Sequence, residues 1–331
     1  MKWLVAALLA GGVLFGAAAC GDDSTGGGSL TKVTLMLDWT PNTNYAGIYL
    51  AKEKGWYRDA GLDVQIIEPA AGGVEQVVAA GKADFGISVQ EQVIPARAQR
   101  IPIVSIAAIL QHNTSSLFAL AKSGITRSRD LSGKTYGGFG GALETALVQK
   151  MVTCDGGDAS KVKFVEVGDV DYLVGMEQGA YDFVWIFDGW DGIRATEVAH
   201  KQVVSLPFNK DPKCLPDWYT PLIITNESHI KSQPDVVKKF MQATSKGYAE
   251  AMANPQASAD ALLKNAPELD KTLVTASAKY LASRYVDKGR QWGLQDAEIW
   301  SGFAKFLKDA GLLDKEIDTK AAFTNEFLPK K

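Results

Sequence analysis

The sequence is poor in the side chains on which most catalytic and metal centres depend. It holds three histidines and three cysteines in 331 residues. No Cys-x-x-Cys pair occurs and no histidine lies near a cysteine, so there is no recognisable zinc site, and no metal is expected. Neither Gly-x-Ser-x-Gly nor His-Glu-x-x-His appears, and His112, His200 and His229 have no triad spacing. The signals for an enzyme are therefore thin. Basic excess is missing too: 35 Lys and Arg face 38 Asp and Glu, for a net charge of −3. That sets nucleic acid aside as a partner, because gripping a phosphate backbone needs surplus positive charge. There is no charged tail, no internal repeat and no linker long enough to separate independent domains.

Long apolar runs are also absent, apart from one at the start. "MKWLVAALLAGGVLFGAAAC" has a Lys, an apolar stretch and three alanines before Cys20. The stretch is short for a membrane span of about 20 residues. The pattern reads as a signal peptide over residues 1–19. A cysteine directly after small residues resembles a bacterial lipobox, with Ala17 where Leu is usual. Cys20 is then the first mature residue and carries lipid; the alternatives are a plain cleaved signal or an uncleaved anchor. Residues 20–31 read as a Gly/Ser-rich tether that holds the folded part off a membrane. The expected location is extracytoplasmic, lipid-anchored to a bacterial membrane. There, the remaining even pair, Cys154 and Cys214, favours a disulfide over two buried thiols.

What is present is ample apolar content, 46%, with 22% charged residues in a chain long enough for two lobes. "KVTLMLDW", "LDVQIIEP" and "FGISVQ" read as strands, and "YAGIYLAKEKGWYRDAG" and "GGVEQVVAAGKAD" between them as helices. Strands alternating with helices at short spacing imply parallel pairing and an α/β class. "IPIVSIAAIL" then opens a long extended stretch. A second strand–glycine turn–helix unit follows at "KTYGGFGGALETALVQKMV", then "KFVEV", "YDFVWIF", "KQVVSLPF" and "YTPLIITNE", and from Pro234 the pattern is nearly all helical. The layout is two α/β lobes with a helical C-terminal portion. Lobe 1 is expected to be discontinuous, residues 32–118 and 226–331, with lobe 2 at 119–225 and crossings near 117–122 and 223–226.

Open α/β sheets bind ligands beyond the carboxyl ends of their strands. Several unusual stretches fall there. Asp38, Trp39, Asn42, Asn44 and Tyr45 follow the first strand; Gln90 and Glu91 follow the third; "WIFDGWDGI" follows a strand of lobe 2. "GGFGG", with Phe139, lies at a helix N-terminus, and Glu144 is one turn in. Asp38 is equally read as a helix cap, the Pro and Asn residues as turn chemistry, and the tryptophans as core. GGFGG is not a phosphate loop, because the Gly-Lys-Ser/Thr ending is missing. Taken together, however, Trp185, Phe187 and Trp190 crowding Asp188 and Asp191 suit a flat heterocycle bearing amino groups: rings stack on it and acids accept its N–H groups. "CLPDWYTP" adds Tyr219 near the second crossing. No stretch named here supplies an Arg or Lys for an anionic ligand.

The residues "LDWTPNTNYAGIYLAKEKGWY", "DFGISVQEQV", "WIFDGWDGI" and "PDWYTPLIITNE" closely resemble the substrate-binding proteins of ABC importers for thiamine-pyrimidine precursors, across nearly all of the mature chain. The resemblance implies a type II periplasmic-binding-protein fold, a monomer that closes on hydroxymethylpyrimidine or formylaminopyrimidine between its lobes and docks on ABC permease subunits. It implies no cofactor. In ligand binding it assigns stacking to Trp39, Tyr45, Trp185 and Trp190, N–H acceptance to Asp38, Glu91, Glu144 and Asp188, and the remaining polar edge to Asn42, Asn44 and Gln90. A related branch holds yeast pyrimidine synthases, which consume pyridoxal phosphate and one of their own histidines. This chain departs from them: Gln92 stands where the donor histidine aligns, and "DWYTP" replaces a cysteine run. Tyr45 stands where family binders often carry His. Other relatives bind riboflavin or sulfonates, so riboflavin and a sulfonate remain the alternative cargoes.

Overall fold

The computed structural model describes residues 29–69, 73–168 and 170–330. The leader, Cys20 and most of the tether lie outside the described residues. Ten strands form two five-stranded sheets. The first takes β1 (Thr31–Met36), β2 (Leu62–Ile67), β3 (Phe85–Ser88) and β4 (Ile103–Ala108). The second takes β5 (Ser115–Leu120), β6 (Thr135–Gly138), β7 (Lys163–Glu166), β8 (Phe183–Phe187) and β9 (Val203–Pro207). β10 (Leu222–Asn226) returns to the first sheet, giving the orders β2-β1-β3-β10-β4 and β7-β6-β8-β5-β9.

The two sheets follow one plan. β1 is parallel to β2 and β3, and β6 is parallel to β7 and β8. In each sheet the strand that enters from the other lobe, β10 or β5, is antiparallel to both neighbours. The inner strands β3, β5 and β10 are buried throughout, whereas edge strand β2 alternates and edge strand β7 is exposed; edge strand β4 is also buried, because residues 293 and 322–324 bond along it. Apolar residues without alternation therefore mark strands covered on both faces.

The carboxyl ends of the parallel strands in both sheets border the space between the lobes. The expected boundaries at 118/119 and 225/226 fall inside β5 and β10, because "SIAAILQHNTSSLFAL" reads as one extended run and hides the bend between β4 and β5. The expected helix over 45–61 is divided at Gly55, whose φ of 73° suits glycine. The helical C-terminal portion, including Pro234–Ala253 and Lys271–Leu281, covers the first sheet: Val237, Phe240, Met241 and Val274 join Val33, Leu35, Phe85 and Ile106 in one core. No helix of the described residues is long and apolar enough to cross a membrane.

The structure joins Cys154, the last residue of helix Ala142–Cys154, to Cys214 in a disulfide. His112 pins the crossings. It lies between β4 and β5, with Nδ1 2.5 Å from Asp217 on the return crossing and Nε2 3.1 Å from Asp287 of the C-terminal portion. Asp217 also accepts the backbone N–H groups of Asn113 and Trp218. The hydrogen bond to Asp217, opposed by partial burial and aided by Asp287, raises the imidazole from 6.5 to about 9. A raised folded-state value means stabilisation that is complete below pH 6.5 and lost as pH rises through about 9. Urea midpoints at pH 7 and pH 9.5 are expected to fall in the wild type and to stay level in His112→Gln. The side chain is half exposed, so the difference is limited by solvent screening to about 1 kcal/mol or less.

Candidate functional site

A cavity of about 490 Å³ opens between the lobes. The turn after β1 supplies Asp38, Trp39, Asn42, Asn44 and Tyr45 from one side. The ends of β6 and β8 supply Tyr136, Phe139, Glu144, Trp185, Phe187, Trp190, Asp191 and Arg194 from the other, and Thr220 and Pro221 close the crossing end. A second hollow, about 510 Å³, lies beside the disulfide on lobe 2. The charges at its mouth include the Arg127–Asp155 ion pair, and lobe 1 contributes nothing to it.

Each expected residue has a definite place. Trp39 and Phe139 line the cleft from opposite lobes and are 49% and 59% exposed, which leaves both ring faces free to cover a ligand. Trp185 lines the cleft and packs edge-on against Phe208 and Trp218. Tyr45 is 1% exposed and donates its hydroxyl to Asp38 Oδ1 at 2.5 Å. It therefore aims the carboxylate rather than offering a face. Asn42 closes its own turn, accepting from Asn44 N at 2.9 Å and donating to Thr40 O at 3.0 Å. Glu144 accepts from Phe139 N and Gly141 N at 3.0 and 3.1 Å and so caps the GGFGG loop.

Four expected residues do not line the cleft. Asp188 turns behind β8, where Ser116 and Ser205 donate to it at 2.5 and 2.8 Å. Gln90 is spent on Tyr219 N and Ile299 O. Tyr219 is fully buried, its hydroxyl accepting from Asp296 N at 2.8 Å. Glu91 is buried behind the wall. For Asp188, Gln90 and Tyr219 the fold uses the polar group inside its core, and that use competes with ligand contact, whereas Glu91 Oε2 keeps no hydrogen-bond partner.

The chain winds from Asp188 to Val198 as a wide, π-type helix. Such turns are rare and gather at functional sites. This one swings Asp191, rather than Asp188, to the cleft. The Asp191 carboxylate accepts from Phe187 N at 3.1 Å, and burial raises it to about 6, against the pull of that bond and of Arg194. Burial likewise raises Asp38, opposed by the Tyr45 bond. Arg194 is the only cation among the described lining residues. Its guanidinium is taken by Asp171 and lies 5.3 Å over the Tyr172 ring, so the cleft presents no unpaired positive charge.

Tyr136, Tyr172 and Arg194 are lining residues that the motifs did not single out. Tyr136 was accessible in principle, as the last bulky residue of a strand before a glycine turn. Arg194 was not, because its direction depends on the wide helix, which also decides between Asp188 and Asp191, the two acids the motif named together.

The lobes also touch directly. Ser277 donates to Gly189 O and takes a hydrogen bond from Thr43. The approach is close: a Cβ at Gly189 would stand 2.7 Å from Leu281 Cδ2, so a larger residue would displace that side chain. Trp190 accordingly packs against the lobe 1 core as well as lining the cleft.

Two lobes of one strand order, joined by two crossings around a cleft rich in aromatics and carboxyls, define an α/β chain of the periplasmic-binding-protein class. The E. coli periplasmic aliphatic sulphonate binding protein shares the fold, with a TM-score of 0.69 at 16% identity over 89% of this chain and 92% of that one. The chain belongs to the NMT1/THI5-like family, whose sequence model matches residues 42–258. It is similar to the formylaminopyrimidine-binding protein of Halalkalibacterium halodurans, 28% identical over 97% of this chain and 98% of that protein. It is also similar to a 4-amino-5-hydroxymethyl-2-methylpyrimidine phosphate synthase of Legionella pneumophila, 25% identical over 90% of this chain and 93% of that one.

Proposed function

We propose that the chain is an extracytoplasmic solute-binding lipoprotein of an ABC importer, and that its cleft takes a thiamine-pyrimidine precursor, hydroxymethylpyrimidine or formylaminopyrimidine. The observation that carries this is the pairing of exposed rings from both lobes, Trp39 and Phe139, with the desolvated carboxyls Asp38 and Asp191 and no unpaired cation. Flat faces cover a heteroaromatic ring. Buried acids need N–H donors, which an aminopyrimidine supplies. A sulfonate would need a free cation in their place. The chain binds and releases its ligand without chemistry. The lobes hinge at the bends around 109–114 and 215–221, and ligand shifts them toward closure by binding the closed form better. Cys20 carries the lipid, and the closed monomer docks on the permease.

A thermal-shift panel of aminopyrimidines, thiamine, riboflavin and alkanesulfonates tests the reading. An aminopyrimidine at 100 times its Kd is expected to add about 2.7 kcal/mol of stability, with no shift from a sulfonate. A panel in which no aminopyrimidine raises the midpoint overturns it.

A further inference from the structure

The wall of the cleft is short of hydrogen bonds at its crossing end. Among the described residues, eight buried side-chain polar atoms lack a partner, and four of them gather here: Glu91 Oε2, Thr220 Oγ1 and the indole nitrogens of Trp185 and Trp218. They are neighbours. The Trp218 indole sits beside the Glu91 carboxyl without closing a hydrogen bond of good geometry. The two indoles meet edge to face, centroids 6.5 Å apart, and Thr220 is two residues along from Trp218. Gln90 N donates to Tyr219 O at 3.0 Å and Tyr219 N to Gln90 Oε1 at 2.8 Å, which ties the Glu91 helix to this segment. Trp185 and Thr220 line the cleft, and Glu91 and Trp218 stand behind them, so the cluster reaches the ligand space through Trp185 and Thr220. A buried polar atom left unpaired costs about 1–3 kcal/mol, and native folds retain few of them.

We propose that Glu91, Trp185, Trp218 and Thr220 form an inner polar subsite that receives a substituent of the ligand able both to donate and to accept a hydrogen bond, a primary hydroxyl or amino group. The inference rests on the heterocycle reading above and specifies which part of the ligand is read. The two indoles can only donate, so they require an acceptor. Glu91 is 8% exposed, has no cation partner among the described residues, and is pushed up to about 8 by burial, against the pull of its own backbone N–H and of the Trp218 indole. At neutral pH it is a neutral acid, with one O–H to give and a carbonyl oxygen to accept. Thr220 supplies the same pair of roles. An apolar substituent would leave the lining pair, Trp185 and Thr220, unpaired, so the subsite discriminates by the cost of a missing partner.

The test is calorimetric titration of the mature protein with 4-amino-5-hydroxymethyl-2-methylpyrimidine and with 4-amino-2,5-dimethylpyrimidine, which differ by that hydroxyl. The wild type is expected to prefer the hydroxymethyl compound by at least about tenfold, and Glu91→Ala and Thr220→Val by less than about threefold. Equal preference in wild type and variants, or none in the wild type, overturns the subsite. Thr220→Val is also compared with wild type after ligand is stripped by unfolding and refolding. Removing an unpaired hydroxyl at nearly constant volume is expected to raise the urea midpoint; a fall shows that the hydroxyl is already partnered and overturns the proposal. Should the wild type bind neither pyrimidine, the function proposed above fails, and this ligand-free arm alone decides the subsite.

Discussion

Asp191→Ala is expected to weaken aminopyrimidine binding by about 2–3 kcal/mol, roughly 30- to 150-fold in Kd. The size follows from burial. Asp191 accepts from Phe187 N, its own backbone N–H also favours the carboxylate, and among the described residues no side chain donates to it. Burial raises the carboxyl to about 6, against the pull of the Phe187 N–H and of Arg194. A ligand N–H placed on it restores the lost solvation and favours the ionised form. The sign with pH is then set. A carboxyl raised by burial stabilises the fold most below its unfolded value of 3.8, and that contribution is lost as pH rises through about 6. Binding reverses the shift, so ligand affinity is expected to rise between pH 5 and pH 7 and a proton to be released on binding within that window. Calorimetry in buffers of different ionisation enthalpy reads the proton directly. Asp191→Asn keeps the shape without the titration and is expected to lose the pH dependence. An alanine variant that binds within threefold of wild type, or a wild type whose affinity is flat across the window, sinks the assignment.

The second large effect is on stability. Replacing both Cys154 and Cys214 with Ser is expected to cost about 4 kcal/mol, the loop-entropy value for a closed loop of the size set by a sequence separation of 60. The bond ties the end of helix Ala142–Cys154 to the segment that leads into β10. Losing it frees most of lobe 2 from one covalent constraint in the unfolded chain. Urea unfolding with and without a reductant checks this. Wild type should fall to the level of the double variant when reduced, while the variant should not respond. Neither cysteine lines the cleft, so the variant's Kd for the ligand is expected to stay within about twofold of wild type. A double variant as stable as the oxidised wild type contradicts the argument.

The chain wrote its fold plainly because its strands are short apolar runs at regular spacing. "KVTLMLDW" and "FGISVQ" became β1 and β3, and the helical pattern after Pro234 became the cover of the first sheet. Gly55 ended its helix earlier than the reading of 45–61 allowed, since one left-handed residue outweighs an apolar pattern that continues beyond it. At the cleft, local signals served where side chains follow a strand directly. Trp185 and Phe187 share one face of β8 by period two, and Asp38 and Trp39 follow directly after β1.

Where the backbone left regular geometry, that logic stopped. "WIFDGWDGI" offers two acids three residues apart, and only the wide helix decides that Asp191 meets the cleft while Asp188 turns to Ser116 and Ser205. Tyr45 and Asn42 look like ligand groups in the sequence, yet the fold spends one on Asp38 and the other on its own turn. By itself the sequence determined two α/β lobes, a helical C-terminal portion and the aromatic and acidic character of the space between them, because those depend on periodicity and composition. The tertiary structure alone decided which acids are left without partners, because a buried carboxyl's availability depends on every donor within reach, and those donors come from distant parts of the chain.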